Sequence, residues 1–274
     1  MLGICTQPDT PHVLGFMVVV GGPQYRAGSH RQFLLLSRHL AVAGHAVLRF
    51  DLRGMGDSGG APRSFETIDE DIAVGIAGLR QHCPGVEQVV LFGLCDGASA
   101  ALLYCARQKD ARVAGLCLLN PWARSEATLA QTHVKHYYLD RLRQRDFWLK
   151  LAGGKLGIWT SIKEFGANLQ RAKVKPGAGH APDFQHLMAL ALTQFAGPIL
   201  LILSGNDYTA KEFTQWARSE PRLHRLAQLP NLQMLEIADA DHTFSSAHWR
   251  GQVEQAAQRW MGQLRLIHSA SKPW

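Results

Sequence analysis

Cys95 stands between two glycines, Gly93 and Gly97, where the apolar run Val89-Val90-Leu91-Phe92 gives way to the small-residue segment Ala98-Ser99-Ala100-Ala101-Leu102-Leu103. That order reads as a strand, a very tight turn and a helix. The residue at the apex must take a strained backbone, and the flanking strand and helix approach so closely only where side chains are absent. The turn therefore presents one side chain, a thiol, above the sheet edge. At a helix N-terminus the dipole and the free N–H groups favour both a thiolate and an oxyanion, the two charges of nucleophilic acyl chemistry. Most free cysteines are small buried hydrophobes, so the turn needs partners before it means catalysis.

The elements that must position such partners alternate along the first part of the chain. Val13 to Val20 and Ala46 to Asp51 read as strands, and Val113 to Asn120 as another that stops at Pro121-Trp122. Between them a helix opens at Ser29-His30-Arg31-Gln32-Phe33 with Ser29 as its N-cap, and a second, amphipathic helix runs from Phe65 to His82. Alternation of this kind predicts a mostly parallel sheet with right-handed crossovers. The strand pattern returns at Pro198 to Leu203 and at Asn231 to Ile237, and His248 to Leu266 reads as a closing helix.

Gly93-Leu94-Cys95-Asp96-Gly97 resembles the G-x-S-x-G nucleophile elbow of the α/β-hydrolase superfamily, with Cys in place of Ser. Asp51-Leu52-Arg53-Gly54-Met55-Gly56-Asp57-Ser58 is similar to the superfamily's D-x-R-G-x-G-x-S loop, whose role is architectural. The resemblance implies an α/β-hydrolase fold, a mostly parallel central sheet flanked by helices, with a helical cap inserted after the sixth strand. It divides the chain into a core of residues 1–121 and 195–274 and a cap of residues 122–194. It also supplies the missing partners. Asp207 in Ser204-Gly205-Asn206-Asp207 matches the turn that carries the triad acid, and His242 in Ala240-Asp241-His242-Thr243-Phe244 matches the turn that carries the base. Each of Cys95, Asp207 and His242 follows an apolar run, so all three meet at the carboxyl edge of the sheet.

In the superfamily the loop after the first parallel strand gives one backbone N–H to the oxyanion hole, usually just after a His-Gly pair. Here Val20-Gly21 stands in that place and the His is absent. The resemblance makes Gly22 the donor, with Gln24 the second choice, because Pro23 has no N–H. The N–H of Asp96, directly after the nucleophile, is the other donor. A carboxylate beside a thiolate disfavours it unless the Asp points away or is paired. His30 and Arg31, close behind this loop, are candidates to contact substrate, against the simpler reading that they are solvated.

A cysteine at the elbow is similar to that of the dienelactone hydrolases. The runs Gly21-Gly22-Pro23-Gln24-Tyr25-Arg26, Gly28-Ser29-His30-Arg31-Gln32-Phe33 and Gly93 to Gly97 look most like the hydrolases associated with the bacterial exosortase A system. The triad with a cysteine nucleophile implies an ester, lactone or thioester cleaved through an acyl-thioester on Cys95, and the likeness links it to exopolysaccharide or to an acylated carrier. The same triad would serve an acyltransferase, and a scaffold on the hydrolase fold would keep the residues without using them.

Between residues 122 and 194 eleven Lys and Arg face five Asp and Glu, which places six of the chain's formal net charge of +7 in the cap. Such a field raises the local concentration of an anionic substrate, although a solvated helical face has the same composition. His133 and His136 lie at i, i+3 there without a third ligand nearby, and five widely spaced cysteines form no C-x-x-C pair, so no metal or cofactor is expected. An odd, scattered set of cysteines fits a reducing cytoplasm. Met1 to Thr10 has no basic residue and no apolar core, so no signal peptide is read, and no run approaches the ~18 residues of a membrane span. A basic chain with no recognisable nucleic-acid motif is not expected to bind nucleic acid.

Overall fold

The computed structural model describes residues 1–22, 24–124 and 183–270. Among the described residues seven strands form one sheet: β1 (Gly3–Thr6), β2 (Leu14–Val19), β3 (Val47–Phe50), β4 (Gln88–Leu94), β5 (Val113–Leu119), β6 (Ile199–Ser204) and β7 (Leu232–Ile237). Their order is β1-β3-β2-β4-β5-β6-β7, with β1 antiparallel to β3 and every other pair parallel. The α-helices among the described residues are α1 (Gln32–Val42), α2 (Asp69–His82), α3 (Asp96–Gln108), α4 (Phe184–Gln194), α5 (Tyr208–Ser219) and α6 (Ala247–Ala270).

The central strands are near-continuous apolar runs because both faces are covered, and every residue of β2 and β6 is buried. On one face Phe16 of β2 and Phe33 of α1 both pack on Phe92 of β4, and Trp260 and Leu264 of α6 lie over Gly115 of β5. On the other, Gly75 of α2 lets that helix settle onto Met17 and Phe50. The elements therefore close around the carboxyl ends of β2, β4, β5, β6 and β7, where the candidate residues are carried.

The chain divides into two compact units, Met1–Trp122 with Pro182–Trp274, and Ala123–Ala181. Helix α4, which the resemblance placed in the cap, packs against α3 in the first unit. The break in the sheet follows the fifth strand and not the sixth, because a single short strand, β1, precedes β2. Most of the basic stretch, from residue 125 to 182, with His133 and His136, lies outside the described residues.

The helix expected to open at Ser29 begins three residues later. Ser29–Arg31 is a 3₁₀ turn, and His30 and Arg31 take left-handed backbones with φ of 53° and 61°. The N-cap of α1 is Arg31, with no side-chain cap bond, so Ser29 does not cap it.

Candidate active site

Cys95 sits at φ 59°, ψ −125°, a conformation costly for a residue with a Cβ, on the order of 1–3 kcal/mol. The turn is held from several sides. Its N–H donates to the Leu119 carbonyl at 2.9 Å, and its carbonyl accepts from Ala98, Ser99 and Trp122 at 3.1–3.2 Å. A Cβ on Gly93 would collide with the backbone of Gly97 and Ala98, and one on Gly97 with the Val19 carbonyl. The two glycines do what the spacing demanded, and the thiol is left half-buried at the end of β4.

His242 Nδ1 lies 2.9 Å from Asp207 Oδ2. Asp207 is buried at the N-terminus of α5 and caps that helix, accepting from the N–H groups of Thr209 at 3.2 Å and Ala210 at 3.1 Å. Burial alone would push its carboxyl up. The hydrogen bond and charge of His242 and the two capping N–H groups outweigh that and hold it below the usual carboxylate value. The bond from Asp207, followed by one to Cys95, raises the His242 imidazole to about 10. The structure thus brings Cys95 and Asp207 to bear on the same imidazole, with its Nδ1 turned to the carboxylate.

The loop bearing His242 is fixed by groups that the spacing did not mark. Asp241 accepts from the N–H groups of Thr243 at 3.1 Å and Ser245 at 3.0 Å and from the Ser245 hydroxyl. Asn120, fully buried at the end of β5, donates to the His242 carbonyl at 3.0 Å and to Ser204 Oγ at 2.8 Å, while its Oδ1 accepts from Ser204 N–H at 2.8 Å. The only signal for it in the sequence is an amide placed directly before Pro121 at a strand end.

The expected oxyanion donors have other partners here. Gly22 N–H donates to Asp96 Oδ2 at 2.7 Å, and Gln24 N–H closes a turn on the Gly22 carbonyl at 2.8 Å. The Asp96 carboxyl is raised by burial, against the pull of the N–H groups of Gly22, Asp96 itself and Gly97 and the charge of His242. It is thus paired with backbone rather than directed into solvent. His30 and Arg31 are exposed. The D-x-R-G-x-G-x-S loop is architectural in its contacts: Asp51, fully buried, takes the backbone N–H of Arg26 at 2.8 Å, its guanidinium, and the N–H of Asp57 at 3.0 Å.

The model of the alpha/beta hydrolase family matches residues 17–257. The chain belongs to that family. Among solved structures, this alpha/beta hydrolase is similar to the Pyrococcus furiosus esterase Pf2001, at 15% identity over 96% of this chain and 87% of that one, with a TM-score of 0.62. A thermophilic esterase from Thermogutta terrifontis in its malate-bound form shares 21% identity over 96% and 93%, at 0.57. A putative non-heme bromoperoxidase, BpoC of Mycobacterium tuberculosis, shares 18% over 96% of each chain, at 0.56. At such identities these structures establish the fold of the hydrolase, a mostly parallel seven-stranded sheet flanked by helices. No curated protein matches the chain. Among the described residues no helix is long and apolar enough to cross a membrane, and no three His, Cys, Asp or Glu cluster as metal ligands would.

Proposed function

We propose that this hydrolase cleaves an ester, lactone or thioester through the triad Cys95, His242 and Asp207. The observation that carries this reading is the 2.9 Å contact of His242 Nδ1 with the Asp207 carboxylate, on an imidazole that Cys95, at a strained elbow, also acts on. A cationic imidazole opposite sulfur suits thiolate chemistry. The Cys95 sulfur attacks the acyl carbon and forms a C–S bond while the carbonyl electron pair moves to oxygen. Collapse of that intermediate expels the alcohol or thiol, which takes its proton from His242. The imidazole, now neutral, removes a proton from water, which attacks the acyl-thioester and frees Cys95. Asp207 keeps the ring in one tautomer and stabilises its charged form throughout. Backbone N–H groups of Gly22 and Asp96 are the donors offered to the oxyanion.

The runs at Gly21 to Arg26, Gly28 to Phe33 and Gly93 to Gly97, similar to those of exosortase A-associated hydrolases, support a saccharide-linked or acylated-carrier substrate, the excess of Lys and Arg between residues 122 and 194 supports an anionic one, and a working thiol favours a reducing compartment such as the cytoplasm.

Incubation with p-nitrophenyl acetate followed by intact-mass spectrometry and peptide mapping tests the triad. An acetyl group on Cys95 that turns over, absent from Cys95→Ala and slowed at least about 100-fold in His242→Ala, is the expected result. Release of nitrophenol that survives Cys95→Ala unchanged overturns it.

A further inference from the structure

Asp96 follows the nucleophile, and its side chain turns back across the elbow to the loop after β2. Its Oδ2 accepts the Gly22 N–H at 2.7 Å, a contact between residues 74 apart in sequence, and the N–H groups of Asp96 and Gly97 face the same carboxyl. The loop leaves room for it. A Cβ on Gly21 would collide with Asp96 Oδ1, so the absence of a side chain there is what admits the carboxyl. The carboxyl stands where two donors converge beside Cys95, with His242 the other charged group that acts on it.

These are the donors assigned above to the oxyanion. We propose that Asp96 occupies the oxyanion hole of this enzyme and restrains acylation of Cys95, so that its carboxylate must be displaced or lose its charge before the hole can receive a substrate oxygen. The inference rests on the reading of Cys95 as the nucleophile and of Gly22 and Asp96 N–H as its oxyanion donors. A negative oxygen already bonded to Gly22 N–H removes one donor from the developing oxyanion and repels it, and loss of a single donor slows acyl transfer about 100- to 1,000-fold in a serine protease.

The opposite role is also physically coherent. A carboxylate that merely ties the Gly21-Gly22 loop to α3 would be needed for activity, and its removal would slow the enzyme. Single-turnover acylation of Cys95 by p-nitrophenyl acetate, followed by intact mass in wild type, Asp96→Ser and Asp96→Asn, separates the two. Asp96→Ser empties the hole and should acylate about 10-fold faster or more, while Asp96→Asn, which keeps an acceptor for Gly22 but no charge, should fall between. Thermal unfolding shows that each variant is folded before rates are compared. Acylation of Asp96→Ser at or below the wild-type rate, in a folded protein, overturns the restraint and leaves the hydrolase reading standing. Absence of acylation in all three proteins overturns that reading and this inference with it.

Discussion

The amide of Asn120 bonds Ser204 in both directions, donating to its Oγ at 2.8 Å and accepting from its N–H at 2.8 Å. The same Nδ2 donates to the His242 carbonyl at 3.0 Å, and Ser204 Oγ donates in turn to the Asp241 carbonyl at 2.9 Å. The ends of β5 and β6 are thereby fastened to the loop that carries the base. None of these atoms performs chemistry in the proposed mechanism. They set where the imidazole stands.

Asn120→Ala should therefore cost both stability and rate. It removes the acceptor of the buried Ser204 N–H, at about 1–3 kcal/mol, and it frees the His242 loop. For a chain of this size each kcal/mol corresponds to about 2–4 °C in melting temperature. Thermal unfolding together with kcat/KM on an activated ester checks this, with the rate expected to fall further than the stability loss alone would explain.

Asp207→Asn keeps a capping oxygen for α5 but removes the charge that holds the imidazole. The His242 ring should then titrate well below about 10, towards its ordinary value of 6.5. The sign for stability follows. A histidine raised on folding contributes stability that is complete below about pH 6.5 and is lost as pH rises through about 10. Wild type should lose stability between those values and Asp207→Asn should lose much less, which NMR titration of the His242 ring and urea unfolding at pH 6 and pH 10 would measure. The rate should fall by about 10⁴, as expected when a triad loses its orienting carboxylate.

Asp51 is fully buried against the guanidinium of Arg26, itself 7% exposed. Asp51→Ala leaves that cation in the interior and also strips acceptors from the N–H groups of Arg26 and Asp57. Breaking a buried pair from one side costs about 3–5 kcal/mol. The lower end applies here, since Asp57 remains 2.8 Å from the guanidinium. The urea midpoint should drop with little change in slope, which would place the effect on the native state.

Much of this was legible before the structure. Buried strands write themselves as apolar runs, and Cys95, Asp207 and His242 each follow one, so their convergence needed only the order of the strands. β1 was not legible because it is four residues long and partly exposed, which leaves no run to read. The late start of α1 was hidden for another reason: left-handed backbones at His30 and Arg31 are not encoded in residue type, and Ser29 reads as a cap until they are seen. Asn120 and the Asp96–Gly22 bond join residues far apart in sequence. A linear pattern shows only that an amide precedes a proline and that an acid follows a cysteine.

Gly97 and Gly78 make a paired prediction, since both are helical glycines and only one has neighbours. A Cβ on Gly97 would collide with the Val19 carbonyl and lie 3.0 Å from Gly21 N, all backbone, so α3 or the loop after β2 must move. Gly97→Ala should cost about 1–3 kcal/mol and disturb the elbow itself. Acylation of Cys95 should slow by more than the change in folded population accounts for. Gly78, in α2, has nothing within 4 Å of the added carbon. Gly78→Ala should stabilise the protein by about 0.4–1 kcal/mol, because it narrows the unfolded ensemble at a helical site, and should leave the acylation rate alone. Comparison of the two by thermal unfolding and single-turnover acylation isolates the close approach at the elbow from any general effect of filling a glycine.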